Sequence, residues 1–178
     1  MTFRARSFLA LAAAASVAVL AAAGVLSWLV RRQTLDRIQQ TLIAETRLAA
    51  DLIGHHAAGV PIEPDNEAGA LGRDIGARVT LIAPDGRVLG DSAEDGAALA
   101  AMDNHANRPE GVEARATGLG IARRYSTTLG VDMLYVAART AHPSMAIVRL
   151  ALPLTEIDQQ LRTIRTMTAA ALGAAFAG

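Results

Sequence analysis

The chain has 178 residues, 52% of them hydrophobic, 19% charged and 3% aromatic, a length that suits one domain and excludes a sensor, a transducer and an ATP-binding engine together. Seventeen basic residues, all Arg, balance seventeen acidic ones, so net charge makes no case for a nucleic-acid partner. The absence of Cys excludes disulfides, thiolate metal sites, a Cys nucleophile and a lipid-anchored Cys. Residues 7–30 then form a run without a single charge. About 20 apolar residues at 1.5 Å each cross roughly 30 Å of hydrocarbon. Arg4 and Arg6 precede the run, Arg31 and Arg32 follow it, and Trp28 sits near its end, where an interfacial aromatic belongs. A cleaved signal peptide, with Ala21, Ala22 and Ala23 as the small-residue site, is the alternative. The run exceeds an ordinary signal core and continues through Val25, Leu26, Leu29 and Val30, which favours an uncleaved transmembrane helix at 7–30 behind a cytoplasmic tail at 1–6.

Residues 34–53 read as one helix leaving the membrane, with Leu35, Ile38, Leu42, Ala49 and Leu52 at 3–4 spacing and Glu45 interrupting. Residues 55–76, rich in Gly, Pro and acids, read as a loop. A β-branched strand is expected at 79–83, a turn at Pro84-Asp85-Gly86 and a returning strand at 87–91. A short helix follows at 93–102, capped by Asp91 or Ser92. A second occupies 109–116 with Pro109 in its first turn, closed by Gly118 and Gly120. Three more strands come next: one with Ile121, Arg123, Tyr125 and Thr127 on a shared face, one at 131–138, and one at 145–152. Thr155 opens a helix with Asp158 as its capping partner and Ile157, Leu161 and Ile164 as its apolar stripe. Residues 167–178 carry no charge but reach only about 18 Å as a helix. They read as the start of a second transmembrane helix, assigned to 166–178, with the native protein continuing beyond Gly178.

The fold class expected from this order is α+β. Residues 31–165 form a PAS-like extracytoplasmic sensor domain between two transmembrane helices, with about five antiparallel strands, a long N-terminal helix and short helices on one face. The short Arg-bearing tail stays cytoplasmic, which places the domain outside a bacterial cytoplasmic (inner) membrane.

The chemistry is thinner. There is no P-loop, no HExxH and no Gly-x-Ser-x-Gly elbow, so no residue is assigned a catalytic or metal-binding role. Adjacent His55 and His56 point apart, and the acids Glu63, Asp65 and Glu67 fit a solvated turn. The candidate ligand site is His105, Arg108, Arg123, Tyr125 and Tyr135. Arg108 suits a bidentate clamp on a carboxylate or phosphate, or else a pairing with Glu110 or Asp103 that fixes its loop. Arg123 and Tyr125 share a strand face, and with Tyr135 they suit a pocket for a small anion, unless both tyrosines are core aromatics with satisfied hydroxyls.

Three sequence blocks carry a resemblance. They are the hairpin at 78–92 (RVTLIAPDGRVLGDS), the stretch from Met102-Asp-Asn-His105 to Arg108-Pro-Glu110, and the run from Arg124-Tyr-Ser to Met133-Leu-Tyr-Val-Ala137, followed by Val148-Arg-Leu-Ala-Leu-Pro-Leu154. In this order they resemble the N-terminal part of PhoR-type sensor histidine kinases, over residues 31–165. The resemblance implies a membrane-anchored two-component sensor that dimerises and answers a small-molecule or protein signal. The signal would pass through the helix bearing Ile157, Leu161 and Ile164 into the second membrane helix. A cytoplasmic part, beyond Gly178, would use ATP and Mg to phosphorylate a His and then a response regulator. No cofactor is expected in residues 1–178 themselves. The same input module also fits a chemoreceptor or a diguanylate cyclase, and an anchored binding protein without cytoplasmic output is a third reading.

Overall fold

The computed structural model describes residues 3–55, 62–126 and 129–154. It divides into two compact units, one containing Met1–Arg37 and the other formed by Ile38–Leu154. Helix α1 (Phe3–His55) begins in the first and ends in the second. Within the first unit its side chains Leu11, Val17, Leu20, Val25, Leu26, Trp28 and Leu29 are exposed, and from Ala14 onward the helix is long and apolar enough to cross a membrane. Arg32 lies over the Trp28 ring at 5.6 Å, and the Thr34 hydroxyl donates back to the Val30 carbonyl at 2.9 Å.

In the second unit α1 buries Leu42, Ile43, Thr46, Ala49, Ala50 and Ile53. This stripe differs from the expected one at its end, where Leu52 stays half exposed and Ile53 turns inward. Thr46 fills the gap opposite Glu45. Its hydroxyl donates to the Leu42 carbonyl at 2.6 Å, which satisfies the one polar group buried in that stripe.

Residues 64–75 are a helix, α2 (Pro64–Ile75), and not the loop expected there. Pro64 presets the first turn, Asp65 and Glu67 complement its positive end, and Ala68 and Leu71 are buried. Gly76, at φ 73°, ends it in the left-handed conformation and returns its N–H to the Gly72 carbonyl.

Strands β1 (Arg78–Ile82) and β2 (Val88–Asp91) form the hairpin. Helix α3 (Gly96–Ala100) is shorter than the sequence suggested. Asp95 takes its N-cap position, and neither Asp91 nor Ser92 caps it, because the Asp91 carboxylate is turned into the sheet. Helix α4 (Pro109–Thr117) leads into β3 (Leu119–Ser126), β4 (Val131–Arg139) and β5 (Ile147–Pro153). The sheet has the order β2-β1-β5-β4-β3, with every neighbouring pair antiparallel. The α+β class, the long N-terminal helix and the five antiparallel strands are therefore those expected.

Strand alternation gives the sheet two unlike faces. Val79, Leu81, Leu134, Val136, Val148 and Leu150 pack with α1 and α2 into the main core. Each such side chain removed from water contributes about 1.5–3 kcal/mol. The opposite face carries a small apolar cluster of Ile82, Ala137 and Ile147 under Ala114 of α4, and beside it a polar region. The expected helix at Thr155, its stripe of Ile157, Leu161 and Ile164, and the second membrane segment lie outside the described residues.

Candidate functional site

Register builds the polar region. Thr80 of β1 pairs with Arg149 of β5, Tyr135 of β4 pairs with Ala151 of β5, and Arg124 of β3 pairs with Met133 of β4. All six side chains fall on the face away from the main core. Arg149 interrupts an otherwise apolar strand and is only 5% exposed.

All of these residues but Thr80 line a cavity of about 640 Å³. Met133, Tyr135, Arg149 and Ala151 come from β4 and β5, Arg124 and Tyr125 from β3, and Arg78 from β1. The connection from α3 to α4 adds Met102, His105 and Arg108.

A chain of polar contacts runs beneath it. The Asp91 carboxylate accepts from Arg78 Nε at 2.8 Å, the Thr80 hydroxyl at 2.7 Å and the Ala93 N–H at 2.9 Å. Thr80 Oγ1 in turn accepts from Arg149 Nη2 at 3.0 Å. Glu110, in the first turn of α4 and fully buried, places Oε1 3.6 Å from Arg149 Nη1 and 3.3 Å from Arg124 Nη2. The Arg124 guanidinium lies over the Tyr135 ring at 4.0 Å and that of Arg149 at 5.5 Å, close enough for cation–π attraction. Arg149 Nε, Arg124 Nε and His105 Nδ1 are buried and find no hydrogen-bond partner among the described residues.

Electrostatics follow from this crowding of cations. Burial pushes the His105 imidazole down to about 4, helped by Arg149 and Arg108, while Asp91 pulls the other way; the ring is neutral at pH 7. Burial also lowers Arg149, with Glu110 as the main opposing charge. The site therefore offers guanidinium donors, an aromatic face and a neutral imidazole, a set suited to recognising an anion.

Of the residues picked from the sequence, His105, Arg108, Tyr125 and Tyr135 line this cavity together. Arg123 does not. It stands one residue out of phase, on the α1 side of the sheet, where Nη2 donates to Gln39 Oε1 at 2.7 Å. The pocket place assigned to it belongs to Arg124. Arg108 Nη2 lies 4.0 Å from Asp103 Oδ2, and Glu110 serves the two strand arginines instead. Sequence reasoning passed over Arg78, Arg124 and Arg149. A charge inside the apolar Ile147–Pro153 run was the available signal. The His55 ring nitrogen Nδ1 is 2.6 Å from the Asp51 carbonyl, and among the described residues no three His, Asp or Glu side chains converge as a metal site.

Solved structures share this architecture. The ligand-binding domain of the Campylobacter jejuni chemoreceptor Tlp3, in complex with 4-methylisoleucine, aligns with a TM-score of 0.59 at 16% identity, covering 74% of this chain and 57% of that one. The same domain with L-valine gives 0.57 at 14% identity, covering 74% and 59%. The ligand-binding domain of the Pseudomonas aeruginosa PAO1 amino acid chemoreceptor PctC, in complex with GABA, gives 0.52 at 10% identity, covering 80% and 63%. The chain thus spans less than two thirds of the length of each. No protein-family model and no curated protein matches the sequence. At such identities the likeness is one of architecture, and the chain has the α+β fold seen in chemoreceptor sensor domains.

Proposed function

We propose that this chain is the membrane-anchored input region of a bacterial signalling receptor, and that it reads a small molecule in the arginine-lined cavity outside the inner membrane. The cavity carries the reading: Arg78, Arg108, Arg124 and the buried Arg149 line a space of about 640 Å³ in a fold also seen in domains solved with valine, 4-methylisoleucine and GABA. The apolar half of α1 supports the anchor. Ile157, Leu161 and Ile164 would relay the signal toward a second membrane helix in a homodimer.

For the output, the sequence blocks at 78–92, 102–110 and 124–137 favour a PhoR-type histidine kinase, whose ATP, Mg and response regulator would engage a cytoplasmic part. The structural neighbours favour a chemoreceptor as the second reading. Two experiments test this. Thermal unfolding of the full chain in nanodiscs, against a library of amino acids and organic acids, should reveal a compound that raises the melting temperature; a ligand at 100 times its Kd adds about 2.7 kcal/mol. Arg108→Ala should weaken that effect, and a library without a single stabilising compound defeats the sensing reading. The coding sequence after codon 178 decides the output. A phosphoacceptor His box with ATP-binding boxes supports the kinase, and a methyl-accepting coiled coil supports the chemoreceptor.

A further inference from the structure

We infer that the Arg124–Arg149 pair is a subsite for a single carboxylate, and that the ligand class is an organic monocarboxylic acid with a short apolar body and no ammonium group. This rests on the sensing role proposed above. It departs from the amino acids found in the structural neighbours.

Charge pairing around the cavity sets the ligand's charge. Arg78 has Asp91 at 2.8 Å, and Arg108 has Asp103 at 4.0 Å. Arg124 and Arg149 share one carboxylate, that of Glu110, and both reach the same oxygen. His105 is neutral at pH 7 because burial and the neighbouring arginines hold it down at about 4. Counting Glu94, 4.0 Å from Arg78, the cavity's charges balance overall, but at its buried end Arg124 and Arg149 have only the one Glu110 oxygen between them. The buried Nε atoms of Arg124 and Arg149 find no partner among the described residues, and both residues line the cavity. A monoanion completes this arrangement. A phosphate dianion would exceed it, and a carboxylate matches guanidinium donors in plane.

The same inventory leaves an ammonium group no unpaired carboxylate in the lining. An α-ammonium needs acceptors, and buried charges need partners. The Asp91 oxygens are taken by Arg78, Thr80 and Ala93. Glu110 Oε2 finds no partner among the described residues, but it is buried and Glu110 does not line the cavity. The acids that do, Glu94 and Asp103, are open to solvent and face Arg78 and Arg108. A zwitterion would place its cation among guanidinium groups. Ala98, Met102, Met133 and Ala151 supply the apolar lining for the rest of the ligand.

Matched pairs that differ only in the α-ammonium test this: 3-methylbutanoate with L-valine, 4-methylpentanoate with L-leucine, and 3-phenylpropanoate with L-phenylalanine. Each is titrated calorimetrically into the full chain in nanodiscs, with inorganic phosphate alongside. The acid of at least one pair should bind tenfold or more tighter than its amino acid, and tighter than phosphate. Arg124→Gln should weaken it tenfold or more, whereas Arg123→Gln, on the other face, should not. Arg149 is too buried to serve, and Arg124→Gln is accepted as a test only if its ligand-free melting temperature stays within a few degrees of the parent. An Arg124→Gln protein that fails this is replaced by Arg124→Lys, which keeps the charge and loses the fork, and should also weaken binding. An amino acid that binds as tightly as its deaminated partner overturns the proposal and leaves the sensing role standing. So does tighter binding of phosphate, or stabilisation by a library compound of another class when no pair member binds. If no compound binds at all, the sensing role falls with it.

Discussion

Glu110 is fully buried beside two arginines, and a buried ion pair is costly to break because the remaining charge loses its partner. Glu110→Gln keeps the shape and removes the charge. It should lower the unfolding free energy by about 3 kcal/mol, read as a shift in the denaturant midpoint; a shift indistinguishable from zero would show that the arginines do not depend on it. His105 makes a pH prediction. Its folded value of about 4 lies below the ordinary 6.5, so between those values the unfolded chain holds more protons than the folded one. Stability is then complete above pH 6.5 and falls as pH drops through the window toward 4. The loss is on the order of 2 kcal/mol, and His105→Asn should flatten the slope of melting temperature against pH across that window. The residue level is also where the sequence misled. Arg123 and Arg124 are adjacent, and a strand sends neighbours to opposite faces. The face shared by Ile121 and Arg123 is real, but it is the α1 side of the sheet, a parity that only the packing of α1 against Leu134 and Val136 decides; Tyr125, next to the last residue of the strand, is among the cavity residues all the same.

Helix α4 holds the site together by lying close on the edge strand. Glu113 Oε2 accepts the Ile121 N–H at 2.9 Å, which occupies an edge donor that would otherwise be open to another strand. The approach is possible because residue 120 is Gly: a Cβ there would run into the Glu110 carbonyl and come within 2.8 Å of the Ala114 nitrogen. Gly120→Ala must push α4 away from β3 and carry Glu110 off its arginines. A cost of about 2 kcal/mol is expected, together with weaker ligand binding. Calorimetry on the variant checks both, and unchanged affinity would mean that α4 moves without disturbing the arginines. The strands were legible because β-branched runs flanked by Gly and Pro leave few alternatives. Helix α2 was not, since Gly69 and Gly72 inside twelve residues dilute its apolar pattern. Its markers were nevertheless present in Pro64 at the start, Ala68 and Leu71 three apart, and Gly76 at the end. Gly72 has a packing reason, because a Cβ there would press on Ser92.

For the molecule as a whole, the order of elements was enough to reach an α+β sensor-like fold, while the cavity was not, because it depends on the register of four strands, including the pairing of β5 with β1, whose Arg149 and Thr80 are 69 residues apart. The apolar half of α1 stands on different ground. Its argument is local, since an unbroken run of uncharged residues pays for no buried polar group when lipid surrounds it. Val17 and Leu20 are exposed in the structure, as side chains facing lipid would be. Arg at the centre of a transmembrane helix costs about 2.5–3.5 kcal/mol on insertion scales. Val17→Arg combined with Leu20→Arg should therefore strip the anchor of most of its preference for the bilayer. In cells, residues 1–165, without the second apolar segment, should remain in the membrane pellet after an alkaline carbonate wash, and their double variant should be released. Residues 33–165 should be released as well and should keep the cavity. If the double variant stays in the pellet as firmly as the parent, residues 7–30 are not what holds this protein to the membrane, and the proposed topology, with the arginine cavity outside the inner membrane, loses its foundation.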